Sequence, residues 1–233
     1  MLLRSLALPA LLLLSSLASA QTPAGTQAGS VEVPDFQGVA VSHGIRAEVK
    51  RGARSVRLEG DAKELSRVKL EVKGGVLTTQ VERSGFFNSG LKGVRLIVTN
   101  PQVTSVSASG GSRVDAEATP ATEFSASASG GSEVHVTGLE SSVLNANASG
   151  GATVRIAGRA ESVTANASGG SVVEAQDVRA QTLQVNVSGG SRFEAYSAQK
   201  VTGNLSGGAT LRLQEKPGSI DVNTSGGSQV KYK

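Results

Sequence analysis

The side chains most able to do chemistry in this chain recur in one tetrad, Ser-Gly-Gly-Ser. It begins at Ser109 and returns at Ser129, Ser149, Ser168, Ser188, Ser206 and Ser225, with Ala152 and Ala209 twice standing for the last Ser. A glycine-rich loop cradles phosphate when a helix starts beyond it, but no Gly-Lys-Ser/Thr follows these tetrads and no helical pattern begins there. A double glycine can also wrap Ca²⁺, yet no Asp follows at the spacing that supplies hard oxygen ligands. The two histidines, His43 and His135, have no Glu or His at metal-ligand spacing. The chain has no Cys, which removes thiolate nucleophiles, thiolate metal sites, disulfides and a lipid-modified Cys. Four residues after the tetrad Ser stand Arg113, Glu133, Thr153, Val172, Arg192, Thr210 and Gln229, a sparse charge mixture that suits pairing between neighbours better than acid–base work. The expectation is no catalytic residue, no cofactor and no metal.

What must position the tetrads is a stacked unit. The intervals between them are 20, 20, 19, 20, 18 and 19 residues, and a unit that short cannot bury its own apolar face. Five, three and one residues before each tetrad the side chains are mostly apolar, as in Leu144, Ala146 and Ala148; five and seven residues after it they are apolar again, as in Val154 and Ile156. Two strands joined by a Gly-Gly bend and closed by a polar return describe one rung of a parallel β-helix. The glycine pairs Gly110-Gly111, Gly130-Gly131, Gly150-Gly151, Gly169-Gly170, Gly189-Gly190, Gly207-Gly208 and Gly226-Gly227 are read as structural corners, because glycine takes positive φ without penalty and lets stacked backbones approach. The returns, such as Thr137–Ser141, are expected to tolerate substitution. The fold class is therefore all-β, a right-handed parallel β-helix with rungs of about 20 residues. An antiparallel meander or a propeller also repeats, but propeller blades run to about 40 residues and carry more aromatics.

Upstream, Val31 to Val98 shows period-two runs of short strands bounded by turns such as His43-Gly44, Arg51-Gly52 and Lys73-Gly74-Gly75. The only helical hint is Asp61-Ala-Lys-Glu64 before Leu65. Residues 31–100 are read as an N-terminal β-rich segment continuous with the solenoid of residues 101–233. Phe86-Phe87 and the final Val230–Lys233 are the expected plugs for the ends of the stack. Residues 1–20, with Arg4, an apolar run Leu6–Leu14 and Ala18-Ser19-Ala20, read as a cleaved secretory signal, and residues 21–30 as a flexible polar linker. The run is too short to cross a bilayer, so no transmembrane segment is expected once it is removed.

The net charge is +4, and its excess gathers early, at Arg46, Lys50, Arg51, Arg54 and Arg57. An anionic envelope polymer or lipid surface could meet these residues, but a solvated, alternating outer strand face is the favoured reading. Aromatic residues make up 3% of the chain, too few for stacking on nucleic acid, so no nucleic-acid partner is expected. The unusual surface is the outer side of the strand before each corner. There stand Asn147, Asn166, Asn186, Asn204 and Asn223, beside the tetrad serines Ser149, Ser168 and Ser188, in neutral polar columns. These columns could present flat hydrogen-bonding ladders to envelope glycans or surface proteins, or they could only stiffen the stack as amide ladders do elsewhere. The five Asn-x-Ser sequons are a by-product of the same repeat.

Phe36-Gln-Gly-Val-Ala-Val-Ser-His-Gly-Ile-Arg-Ala-Glu-Val-Lys-Arg-Gly52, Val56-Arg-Leu-Glu-Gly-Asp61, Val76-Leu-Thr-Thr79, Val94-Arg-Leu-Ile-Val-Thr-Asn-Pro101 and the tetrads that follow are together similar to the bacterial "putative auto-transporter adhesin, head GIN domain" family. The resemblance covers about residues 31–233, with Gly44-Ile45-Arg46 as the counterpart of a Gly-Ile-Asn-like turn. It implies an exported bacterial β-helical protein, periplasmic, surface-bound or secreted, with an adhesive role and no catalytic residues. Two alternatives stay open: a polysaccharide-processing enzyme on a β-helix, for which a cleft lined by acids and bases across the rungs would speak, and a purely structural envelope scaffold.

Overall fold

A computed structural model describes residues 26–82, 91 and 93–233. The signal segment 1–20 and the pair Phe86-Phe87 lie outside the described residues. In chain order the elements are β1 (Thr26–Ser30), β2 (Gly38–Val41), β3 (Arg46–Arg51), β4 (Ser55–Asp61), α1 (Ala62–Leu65), β5 (Val68–Lys73), β6 (Val76–Val81) and β7 (Arg95–Asn100). The repeat region follows with β8 (Ser105–Ala108), β9 (Arg113–Glu117), β10 (Ala121–Ser129), β11 (Glu133–Ser149), β12 (Thr153–Ser168), β13 (Val172–Arg179), β14 (Thr182–Val187), β15 (Arg192–Ala195), β16 (Lys200–Leu205), β17 (Thr210–Leu213), β18 (Ser219–Thr224) and β19 (Gln229–Tyr232).

The repeat region is a parallel β-solenoid. Segments before each corner pair in register through Val106, Ala126, Ala146, Ala165, Val185, Gly203 and Val222. Segments after each corner pair through Val114, Val134, Val154, Val173, Phe193, Leu211 and Val230. These columns point inward and meet in one core, where the bulky Phe124, Leu144, Phe193 and Leu211 are fully buried and small residues such as Ala126 and Ala146 stand beside them. Each large side chain so buried contributes about 2–3 kcal/mol of transfer free energy.

Residues 31–100 supply rungs of the same stack. β2 and β3 flank His43-Gly44, and they pair with β8 and β9 as one tetrad unit pairs with the next: Val39 with Val106, Val41 with Ala108, Ala47 with Val114, Val49 with Ala116. The first corner of the solenoid is therefore Ser42-His43-Gly44-Ile45. His43 takes φ 62° and Gly44 φ 80°, and Ile45 is fully buried in the place that Ser112 holds one rung on. β6 and β7 pair with the other side of β2 and β3, so the spatial order is β6/β7, then β2/β3, then β8/β9. The chain reaches that end by crossing over after β3. It then closes the end with antiparallel strands, β4 on β7 and β5 on β6, with the single turn of α1 between them, started by the Asp61 side chain accepting from the Lys63 N–H.

Three expectations are corrected. The linker of residues 21–30 does not stay free over its second half, because Thr26–Ser30 form β1, antiparallel to β4. The returns are not wholly polar either: Ala118, Leu139, Ala160, Val178 and Ala198 are buried, forming a third apolar side between the two strand columns. The polar neighbours of these residues, such as Glu140 and Arg159, face outward and mask them in the sequence. The end-plug role of Val230–Lys233 is not what the structure draws: Gln229–Tyr232 is the last strand of the stack, paired on one side only, with Tyr232 45% and Ile220 38% exposed.

Candidate functional site

At the corners both glycines of every tetrad have positive φ, from 58° to 68° at the first and from 71° to 79° at the second. The two differ in surroundings. A Cβ on Gly169 would lie 3.1 Å from the Gly150 nitrogen, whereas one on Gly170 would meet nothing within 4 Å. The corners are tied rung to rung, the Gly151 N–H donating to the Gly169 carbonyl at 3.1 Å and the Gly170 N–H to the Gly189 carbonyl at 3.0 Å. No side chain in them is placed to hold a metal, and among the described residues no cluster of His, Asp and Glu forms a cation site.

The fourth tetrad residue carries a role that the repeat pattern alone does not disclose. Ser112, Ser132, Ser171 and Ser191 are buried. The Ser132 hydroxyl accepts from the Ser129 N–H at 2.9 Å and donates to the Ala108 carbonyl of the preceding rung at 2.8 Å, and Ser171 bonds Ser168 and Ala148 in the same way. These hydroxyls satisfy peptide groups that the tight bend removes from the strand ladders.

Immediately before the corners the polar columns come together. Asn166 donates its amide to the Asn147 Oδ1 at 3.0 Å, Asn186 to Asn166 at 3.2 Å, Asn204 to Asn186 at 3.3 Å and Asn223 to Asn204 at 3.3 Å. Each amide owns two N–H donors and two acceptor lone pairs. An interior Asn of the ladder thus keeps one donor and one acceptor free.

The surface beside this ladder is concave, not flat. A trough of about 460 Å³ runs across the rungs, lined by Asn147, Asn166, Asn186 and Asn204 and by Ser149, Ser168 and Ser188. Ala148, Ala167 and Val187, between these columns in the chain, also line it although they belong to the core. Asn223 continues the ladder one rung beyond the trough. None of the lining side chains titrates near neutral pH.

The other sheet is charged. Arg113 is held by Asp115 at 2.9 Å and Glu133 at 2.7 Å, Arg155 by Glu174 at 2.7 Å, and Arg212 lies 3.5 Å from Glu194. The hydrogen bond from Arg113 holds the Asp115 carboxyl below its ordinary range, against the opposing pull of partial burial. His135 lies 3.6 Å from Asp115 and gathers no further ligand-type side chain, and His43 sits at the first corner. Among the described residues the trough and the charged columns therefore share no carboxylate.

These features define a parallel β-solenoid, closed at one end by antiparallel strands and carrying an uncharged polar trough along one sheet. Residues 35–217 match the model of the family described as "Putative auto-transporter adhesin, head GIN domain", and the chain belongs to that family. No curated protein matches it. Among solved structures the fold is similar to that of a putative adhesin from Bacteroides fragilis, with a TM-score of 0.82 and 16% identity over 90% of this chain and 98% of that one. A putative lipid binding protein from Parabacteroides distasonis gives 0.70 and 12% over 91% and 98%, and a putative adhesin from Parabacteroides merdae 0.65 and 13% over 91% and 97%.

Proposed function

We propose that this chain is a non-enzymatic, exported, adhesin-like protein of the bacterial envelope or cell surface, and that its trough holds an uncharged glycan chain lying across the rungs. The observation that carries this reading is the ladder of half-used amides at the trough wall. It offers one donor and one acceptor per rung, in side chains that their neighbours already hold in place. A ligand matched to such a wall is neutral and rich in hydroxyls, because a charged group would lose hydration and find no countercharge. Of the polysaccharide-processing alternatives, a glycosidase needs two carboxylates flanking the bond to be cut and a lyase needs clustered acids and bases, and the trough lining is Ser, Ala, Asn and Val throughout. The family and its adhesin-described neighbours support the adhesive reading and an extracytoplasmic location.

The structural-scaffold reading has one specific observation in its favour, since the same amide bonds tie rung to rung. Replacing Asn166 and Asn186 together with Lys separates the two. Retention on a neutral-glycan array and on bacterial cells is expected to be lost while the thermal transition moves by only a few degrees, as for removal of exposed hydrogen bonds worth about 1 kcal/mol each. Retained binding overturns the trough as the site. Unfolding of the variant assigns the ladder to the scaffold.

A further inference from the structure

The basic residues that crowd the early sequence do not form one patch. Lys50 pairs with Glu48 at 2.7 Å, Arg54 pairs with Asp35, and Arg57 rides on β4 opposite Ile97. Stacking gathers a different set. Arg46 on β3 stands in register with Arg95 on β7 on one side and with Arg113 on β9 on the other, so three arginines occupy consecutive places in one outward column. Like charges directly opposite one another destabilise a sheet. Arg113 is neutralised by two carboxylates, Asp115 and Glu133. Among the described residues Arg95 forms an ion pair only with Glu48, at 3.7 Å, which Lys50 already engages, while Glu59 on β4 stands opposite it in register without closing to ion-pair distance. Arg46, between them, has no carboxylate partner among the described residues. Arg46, Arg95 and Arg113 open with Glu48 and Asp115 onto a shallow concavity of about 550 Å³.

We infer that Arg46 and Arg95 form an oxyanion site for a sulfate or phosphate ester carried on a glycan. Parallel strands lie about 4.8 Å apart, so guanidinium groups on adjacent rungs can grip one tetrahedral anion from both sides, each with two N–H donors. A bound anion also relieves the repulsion that the unpaired column leaves. Asp115 and Glu133, spent on Arg113, mark the limit of the site on that side. The site lies on the charged sheet, away from the trough, and does not depend on what the trough holds.

The test uses a heparin-derived hexasaccharide as the sulfated probe, with a neutral dextran oligosaccharide, inorganic sulfate and phosphatidylglycerol-containing vesicles as comparison arms. Calorimetry is expected to show binding of the hexasaccharide that weakens steeply with NaCl, competition by inorganic sulfate, and, with dextran, no heat that depends on salt or on Arg46. Arg46→Gln is expected to weaken binding about tenfold or more, the loss of a charge-assisted bidentate contact, and Arg46→Lys to restore only part of it. Arg155→Gln serves as a control, because Arg155 is occupied by Glu174 on a later rung, and should bind as the parent does. The hexasaccharide should raise the thermal transition of the parent but not that of Arg46→Gln, whose own transition stays level or rises because the middle cation is gone. Undiminished binding by Arg46→Gln, an equal loss in Arg155→Gln, or binding to vesicles without binding to the hexasaccharide each overturns the inference.

Discussion

Exchange of the two glycines of one corner, Gly169→Ala and Gly170→Ala, tests whether the corners are set by local conformation alone or also by the approach of neighbouring rungs. Both positions have positive φ, 68° and 78°, so both substitutions carry a left-handed backbone cost of about 1–2 kcal/mol, and both gain the same restriction of the unfolded chain. Those contributions cancel in the difference. What remains is that a Cβ at Gly169 meets the Gly150 nitrogen at 3.1 Å and its Cα at 3.5 Å, while the one at Gly170 meets open space. Relieving the first contact moves one rung from the next by a few tenths of an ångström and stretches the Gly151-to-Gly169 hydrogen bond, now 3.1 Å. Overpacking of this kind costs about 1–3 kcal/mol, so Gly169→Ala should be the less stable of the two by at least about 1 kcal/mol. Urea unfolding followed by far-ultraviolet circular dichroism reads this as a lower midpoint at unchanged slope, and hydrogen exchange at Ser168–Ser171 shows whether the loss is confined to the corner. Equal midpoints, or a reversed order, refute the claim that rung-to-rung contact makes the first glycine obligatory.

Other perturbations test the core and the charged sheet. Phe193→Ala empties the largest buried side chain of its column and should cost about 3–5 kcal/mol by denaturant unfolding, unless neighbouring rungs close the gap. Gly203→Ala places a methyl into the Val185 carbonyl of the preceding rung at φ 143°, so a loss of about 3 kcal/mol or more, or no folded protein at all, is expected by circular dichroism. The Asp115 carboxyl is held below its ordinary range, so its contribution to stability is complete above the unfolded value of about 3.9 and is lost as pH falls through the lower folded value. Asp115→Asn should therefore be less stable than the parent at neutral pH, the gap closing below about pH 4 and staying under about 1 kcal/mol because the side chain is 45% exposed.

The repeat region was legible because its periodicity carries both strands and the bend at fixed offsets from one tetrad. The rungs without that signature were not. Ser42-His43-Gly44-Ile45 makes the same bend as Ser109–Ser112, but His43 adopts positive φ in place of the first Gly and Ile45 fills the buried slot of Ser112, so no tetrad search finds it. β6 and β7 escape for a different reason: they stack beyond β2 and β3 although they follow them in the chain, and period-two patterning says nothing about the order in which strands pair. The trough was half legible. Its columns are periodic in the sequence, whereas its concavity belongs to the shape of the stacked rungs, which a period-two pattern does not state. The arginine column could not be read at all, since Arg46 and Arg95 become neighbours only through the crossover after β3.

In the proposed glycan-binding role the amide ladder would set affinity as well as stability. An isolated surface Asn is free to rotate and gives up that freedom when a ligand orders it, at roughly 0.5–1.5 kcal/mol for a rotamer-rich side chain. Asn166 and Asn186 are each bonded to the rung before and the rung after, so folding has already ordered them and a ligand meets donors and acceptors fixed at the strand spacing. If the trough binds as proposed, the half of each amide spent on its neighbour is what holds the other half in place. In the proposed role, Asn223→Ala, outside the trough, should therefore weaken binding only slightly, because Asn204 alone loses one of its two partners, while Asn186→Ala weakens it by more than one lost contact, because its own contact goes and Asn204 and Asn166 each lose one partner as well.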